Sequence, residues 1–272
     1  MSLAKDLATT KSGNKNDMWA VMVKNRLEKL FIEDRDHENR YGLHASAIIA
    51  PENEFCYREQ VLSLFFEMNQ GEQLPVKLLK IFAQGNAMHE KWYTLFRRAG
   101  IDIAIERTLF IPKYDLSFTI DAIIDMFGEE TILDVKSQST FAFKKAKGHP
   151  KGEKQVNFYL WAYSLYTGKL HKRGFVLVDS KDDQEVRIVP VNYNKEKVIP
   201  YIDRLKNIQL LKKEFIENHK VPKRCQDCTD PDCKRASKCN MRDACFDVGK
   251  GRKWLPNVKR SKGNPGAKGK DV

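Results

Sequence analysis

The sequence predicts an α/β protein with a mixed central sheet flanked by helices. Three observations carry that prediction. The apolar patterning runs helices, three strands, helix, two strands, helix along the chain. The central segments are rich in Ile, Leu, Phe and Thr and are punctuated by turn residues. Five of the six cysteines fall between Cys225 and Cys245, which marks a C-terminal segment distinct from the core.

Residues 1–16 are polar, rich in Lys, Thr, Ser and Asn, and are expected to fray. Residues 17–33 read as an amphipathic helix that opens a core reaching to residue 220. Residues 44–68 read as helical with a break around Pro51. The stretch 75–99 is a strong helix, with Pro75 at its start and Gly100 just past its end. Strands follow at 101–111, 116–127 and 131–137, parted by turns at 112–114 and 128–130. A helix at 153–167, strands at 173–179 and 184–191, and a charged helix at 194–218 complete the core. The cysteine-rich segment spans 221–249. The tail, 250–272, carries eight Lys or Arg against one Asp, more than half of the net charge of +12, and is expected to be disordered. No internal repeat is evident.

The chain has 272 residues, enough for one large domain, or a domain with an appendage, and a substantial core. Its charge favours a polyanionic partner, nucleic acid foremost. No apolar run approaches the ~18 residues of a membrane span. The N-terminus lacks the apolar stretch of a secretory signal. An intracellular, cytoplasmic location follows as an expectation. Thiols stay reduced there, so clustered cysteines point to metal rather than disulfides.

The segment ILDVKSQ, residues 132–138, sets two opposite charges in an apolar strand. Side chains alternate across a strand, so Asp134 and Lys136 share a face with Ile132. In the preceding strand, Thr119, Asp121, Ile123 and Asp125 share one face. Two adjacent carboxylates in an apolar setting are costly, and a hard divalent cation, Mg²⁺ or Mn²⁺, removes that cost. The lysine beside them suits the positioning or activation of a water. The bland alternative is a salt bridge between Asp134 and Lys136 on a solvated face. Upstream, Gly85 and His89 lie four apart on one helix, and a helical glycine fits a close backbone approach. Downstream, Gln155 and Tyr159 share a helical face. The segment 144–154, with Lys144, Lys145, Lys147, Lys151 and Lys154, reads as a basic loop suited to phosphate contact.

This order, G-x-x-x-H on a helix, Asp in a strand, D-x-K in the next strand and Q-x-x-x-Y on the following helix, resembles the RecB-type nuclease domain of the PD-(D/E)xK superfamily. The resemblance covers roughly residues 44–245 and implies a restriction-endonuclease-like core. It implies that His89, Asp121, Asp134 and the carbonyl of Val135 bind Mg²⁺ or Mn²⁺. Lys136 would orient or activate the attacking water, and Gln155 and Tyr159 would contact DNA or order the site. Asp125 competes with Asp121 for the ligand role, and the family register favours Asp121. Phe118 stands where the family often has glycine.

The cysteines follow Cys225-x2-Cys228-x4-Cys233-x5-Cys239-x5-Cys245, with Cys56 far upstream. Spacing alone leans to zinc. The iron–sulfur subset of RecB-like nucleases, which includes CRISPR-associated exonucleases and the AddB nuclease domain, has one cysteine before the nuclease motifs and three after. That resemblance implies a 4Fe–4S cluster held by Cys56, Cys239, Cys245 and one of Cys225, Cys228 and Cys233. The usual downstream pattern, C-x2-C-x5-C, is not met by any trio here. The function implied is a metal-dependent DNA exonuclease in recombination, repair or DNA processing, acting on single strands or free ends. No G-x-x-x-x-G-K-S/T motif is found, so a partner helicase is one expectation. The alternatives are a non-catalytic, zinc-containing nucleic-acid-binding module and a structure-selective endonuclease of the same superfamily.

Overall fold

The computed structural model describes residues 15–33, 42–66, 75–101, 103–126 and 128–247. Of the segments expected to lack order, residues 1–14 and the basic tail, 250–272, lie outside the described residues, whereas Lys15 and Asn16 begin the first helix. In chain order the elements are α1 (Lys15–Glu33), β1 (Leu43–His44), α2 (Ala45–Ile48), α3 (Tyr57–Leu62), α4 (Val76–Arg98), β2 (Ile103–Ile111), β3 (Leu116–Met126) and β4 (Glu129–Gln138), then α5 (Thr140–Lys145), α6 (Pro150–Thr167), β5 (Arg173–Ser180), β6 (Val186–Asn192), α7 (Lys195–Asn218) and α8 (Arg242–Asp247). The chain divides into two compact units. One holds residues 1–38 and 71–88, in which α1 and the start of α4 are tied by the Lys80–Glu28 bridge at 3.1 Å. The other holds residues 39–70 and 89–272, with the sheet and the proposed site. No helix among the described residues is long and apolar enough to cross a membrane.

The sheet is mixed and six-stranded, in the order β1-β3-β4-β5-β6, with β2 on the remaining edge of β3. β2, β3 and β4 form an antiparallel meander, β4 and β5 pair in parallel, and β6 returns antiparallel to β5. A parallel pair needs a crossover, which α5 and α6 supply. Gly174 permits that packing, because a Cβ there would sit 2.5 Å from Val156 Cγ1 of α6. The expected mixed α/β architecture with a cysteine-rich C-terminal segment is thus what the chain adopts.

The core of this unit joins Ile120, Ile132, Val176 and Val178 of the sheet to Val156, Phe158 and Leu160 of α6 and to Leu205 and Ile208 of α7. Asn157 and Asn194 exchange two hydrogen bonds and fasten α6 to the start of α7. Arg204, buried on α7, donates to the carbonyls of Ile48 and Ala50 and stacks on Phe55. The cysteine-rich segment folds back onto α3. Buried Arg58 donates to Pro222 O at 2.8 Å and Cys245 O at 2.5 Å, and Arg235 donates to Glu54 O.

Two expectations change. The basic stretch 144–154 is not a loop: it comprises the end of α5, a four-residue link and the first turn of α6. Ser139 caps α5 by accepting from Ala142 N, while Pro150 begins α6 behind a His149 cap. Gly85 lies within α4, but a Cβ there would meet nothing within 4 Å among the described residues, so no close backbone approach accounts for it.

Candidate functional site

The site forms where β3 and β4 part. Their backbone ladder runs from Met126↔Glu129 to Ala122↔Leu133 and goes no further. One residue on, the side chain of Asp121 takes over from the backbone: its Oδ2 accepts the N–H of Val135 at 2.9 Å. This leaves Asp121 beside Asp134 and Lys136 on the face that strand alternation assigns them. Asp134 is fully buried, and its Oδ1 accepts from Lys136 Nζ at 2.8 Å. Its Oδ2 is buried without a hydrogen-bond partner. Lys136 Nζ and His89 Nε2 each lie 3.9 Å from Asp121 Oδ2.

His89 reaches this point from α4. Its Nε2 is 3.1 Å from Val135 O, and the Tyr93 hydroxyl is 3.3 Å from its Nδ1. With Nδ1 accepting from Tyr93, Nε2 carries the proton given to Val135 O. From α6, Gln155 Nε2 donates to Tyr159 OH at 2.9 Å, and the Tyr159 ring lies 5.7 Å from that of Phe118. Asp125 does not join the cluster; it is exposed and accepts the Gly128 N–H in the β3–β4 turn.

Burial, reinforced by the Asp121 charge and opposed by Lys136, pushes Asp134 up to about 7. For Lys136, burial works downward, but Asp134 and Asp121 together outweigh it and hold the ammonium above its usual range. Lys136 is therefore a cation at neutral pH, suited to orienting a water or stabilising negative charge. Burial also raises Tyr93 and Tyr159, so both phenols stay protonated.

The donor chemistry suits a hard divalent cation: an imidazole, two carboxylates, one with an orphaned buried oxygen, and a carbonyl. In their present side-chain positions no three His, Cys, Asp or Glu among the described residues form an ion-holding group. Asp121, Val135 and His89 are instead hydrogen-bonded among themselves.

All six cysteines are free thiols. Cys56, at the N-cap of α3, lies close enough to Cys225 for the two thiols to bear on one another, and Cys225 also bears on Cys228 and Cys245. Cys239 feels Cys56 and Cys245, and Cys228 feels Cys233. The chain thus brings Cys56 to the downstream cysteines, Cys225 and Cys239 among them. Burial raises Cys56 to about 11 and Cys228 and Cys239 to about 12. A soft cation would offset that penalty by binding thiolates.

Of the basic residues, Lys144 pairs with Asp183 at 3.2 Å, and Lys145 lies over the Phe141 ring. Lys147 and Lys151 are exposed. Three contributors escape sequence reasoning. Tyr93 supports His89 from four residues on, a spacing that was readable. Buried Asp179, at the end of an apolar strand, accepts from Lys91 Nζ at 2.9 Å and Trp92 Nε1 at 2.7 Å, anchoring the turn of α4 that follows His89. His149 accepts from Gly152 N at 2.9 Å, and a Cβ at Gly152 would sit 3.2 Å from Asp134 Oδ2, so this glycine admits α6 to the carboxylate.

No family model matches the chain. No curated protein matches it either. Among solved structures, the protein SSO0001 is similar at 14% identity and a TM-score of 0.43, over 84% of this chain and 97% of that one. An alkaline exonuclease from Laribacter hongkongensis, LHK-Exo, is similar at 13% identity and a TM-score of 0.43, over 65% of this chain and 91% of that one. Its complex with dAMP gives the same identity and TM-score over 66% and 91%.

Proposed function

We propose that this chain is a metal-dependent deoxyribonuclease of the RecB-like PD-(D/E)xK type, acting as an exonuclease on single strands or free ends. The observation that carries the reading is the orphaned, buried Oδ2 of Asp134, set beside Asp121, His89, Val135 O and the Lys136 ammonium. Asp179 Oδ1 is buried unpaired as well, beside Lys91 and Trp92; the Asp134 oxygen instead has a second carboxylate, an imidazole and a carbonyl close by, the donor set of a cation.

His89, Asp121, Asp134 and Val135 O would hold Mg²⁺ or Mn²⁺. The ion supplies Lewis acidity at the scissile phosphate and lowers the pKa of water. The chain's own residues do the rest. Lys136 stays charged next to Asp134, so it orients the attacking water and stabilises negative charge on the phosphate. Tyr93 holds the ring plane of His89; with Nε2 on the ion, Nδ1 would carry the proton and donate it to the Tyr93 oxygen. Gln155 donates to the Tyr159 oxygen, leaving the phenol proton to be given to the DNA backbone. Hydrolysis breaks one backbone P–O bond; the water oxygen joins phosphorus and the departing oxygen takes up a proton.

Four of the six cysteines, Cys56, Cys239, Cys245 and one of Cys225, Cys228 and Cys233, would hold a structural 4Fe–4S cluster that staples the C-terminal segment to α3, with zinc as the alternative occupant. The test is cleavage of end-labelled linear single- and double-stranded DNA by anaerobically purified protein, with Mg²⁺, Mn²⁺ or EDTA. Metal-dependent cleavage is expected, and loss of it in both Asp134→Ala and Lys136→Ala. Binding without cleavage under every metal would instead favour a binding module, and cutting of closed circles an endonuclease. Metal analysis of the same preparation separates iron from zinc.

A further inference from the structure

Phe141 is the most exposed large hydrophobic side chain among the described residues, at 76%. It lies on α5, three residues past the end of β4 and five past Lys136. A helix of six residues is marginal by itself, yet this one is held firmly. Ser139 caps it, Phe143 is buried beneath it, and Arg187 stacks on Phe143 and donates to the carbonyls of Phe143 and Ala146. The cross-strand register sets Lys136 beside Val178 and Val178 beside Arg187. Arg187 therefore projects from the sheet face that carries Asp134 and Lys136, and α5 lies over that face. Five residues span at most ~18 Å, a reach of a few nucleotides.

The surroundings of Phe141 are cationic in balance. Lys145 Nζ sits 5.8 Å from its ring centroid, and Lys147 is exposed. Of the acids of the β5–β6 turn, Asp182 accepts from Thr140 N and Asp183 pairs with Lys144, leaving Glu185 exposed. An exposed aromatic ring on a capped and packed helix, with lysines beside it, matches the stacking platforms by which proteins hold single-stranded nucleic acid without sequence preference.

We propose that Phe141 is a base-stacking residue that holds an unpaired nucleobase of the substrate strand while Lys145 and Lys147 meet the adjoining phosphates. The assignment rests on the nuclease reading above and adds to it the single-stranded character of the DNA leaving or entering the site.

The test is binding of a labelled single-stranded oligonucleotide, measured in EDTA so that no cleavage intervenes, for the wild type and for Phe141→Ala, Phe141→Leu and Phe141→Trp. Phe141→Ala and Phe141→Leu should weaken binding by about tenfold, within the range reported for loss of one stacked base. Phe141→Trp should restore it, and the new indole should be quenched on adding the oligonucleotide. Leucine keeps an apolar surface without a ring, so it separates stacking from hydrophobic contact. If Phe141→Ala binds within twofold of the wild type, the platform is wrong. Should that variant also cleave DNA normally with Mn²⁺, the nuclease reading stands without it. A wild type that neither binds nor cleaves DNA would overturn both.

Discussion

Asp134→Asn should stabilise the metal-free protein, because asparagine resembles the protonated acid that the folded site prefers. The folded carboxyl keeps its proton up to about 7, against 3.8 for the ordinary group. Between those values the folded state binds more protons than the unfolded one, so its stability falls as pH rises. Above about 7 the full cost is present, on the order of 4 kcal/mol at about 1.4 kcal/mol per tenfold change. At about 2–4 °C per kcal/mol for a chain of this size, the substitution should raise Tm by roughly 10 °C in EDTA at about pH 9 and change it little below about pH 4. Mn²⁺ should raise the Tm of the wild type at the alkaline pH and leave Asp134→Asn unmoved. Thermal melts of both proteins, with and without Mn²⁺, measure all of this. A Tm for Asp134→Asn below that of the wild type in EDTA at about pH 9 would show that the Lys136 ion pair satisfies the carboxylate, and the case for a cation there would fail.

Three further outcomes follow from the geometry. Tyr93→Phe removes the hydroxyl behind His89 Nδ1 and should weaken Mn²⁺ binding by about tenfold or more in calorimetry, with the fold retained by circular dichroism. Asp179→Ala leaves Trp92 Nε1 without its acceptor, while Lys91 keeps Gln184 Oε1; a loss of about 2 kcal/mol is expected in urea melts. Arg58→Ala cuts both hydrogen bonds to Pro222 O and Cys245 O; limited proteolysis should then cut within 221–247 faster, and anaerobically purified protein should carry less metal per chain.

Strand alternation made the placement of Asp134 and Lys136 readable, since a period of two needs no tertiary information. The same holds for Gln155 with Tyr159, four apart on a helix. Asp125 was harder, being on the same strand face as Asp121; only the end of the β3–β4 ladder separates the two, because Asp125 still lies in the paired turn region while Asp121 meets an unpaired Val135 N–H. The helical start of the basic segment was missed because the lysines masked a serine cap and a buried Phe143. Tyr93 was within reach of the i, i+4 rule applied to His89. Asp179 and Arg187 were not, since their partners lie 87 and 44 residues away.

The sequence by itself determined the order of elements, the face each strand turns toward the site, and the isolation of the cysteines at one end. These follow from local periodicity and composition, which every window of the chain carries. Tertiary structure alone decided that Cys56 meets the downstream cysteines, that Asp134 keeps an unpaired oxygen in the interior, and that α5 lies over the sheet face of Asp134 and Lys136 with Phe141 exposed. Each of those depends on where strand pairing stops or which distant backbone a side chain reaches. Such choices are set by the sum of packing over the whole core and leave no trace at any single position.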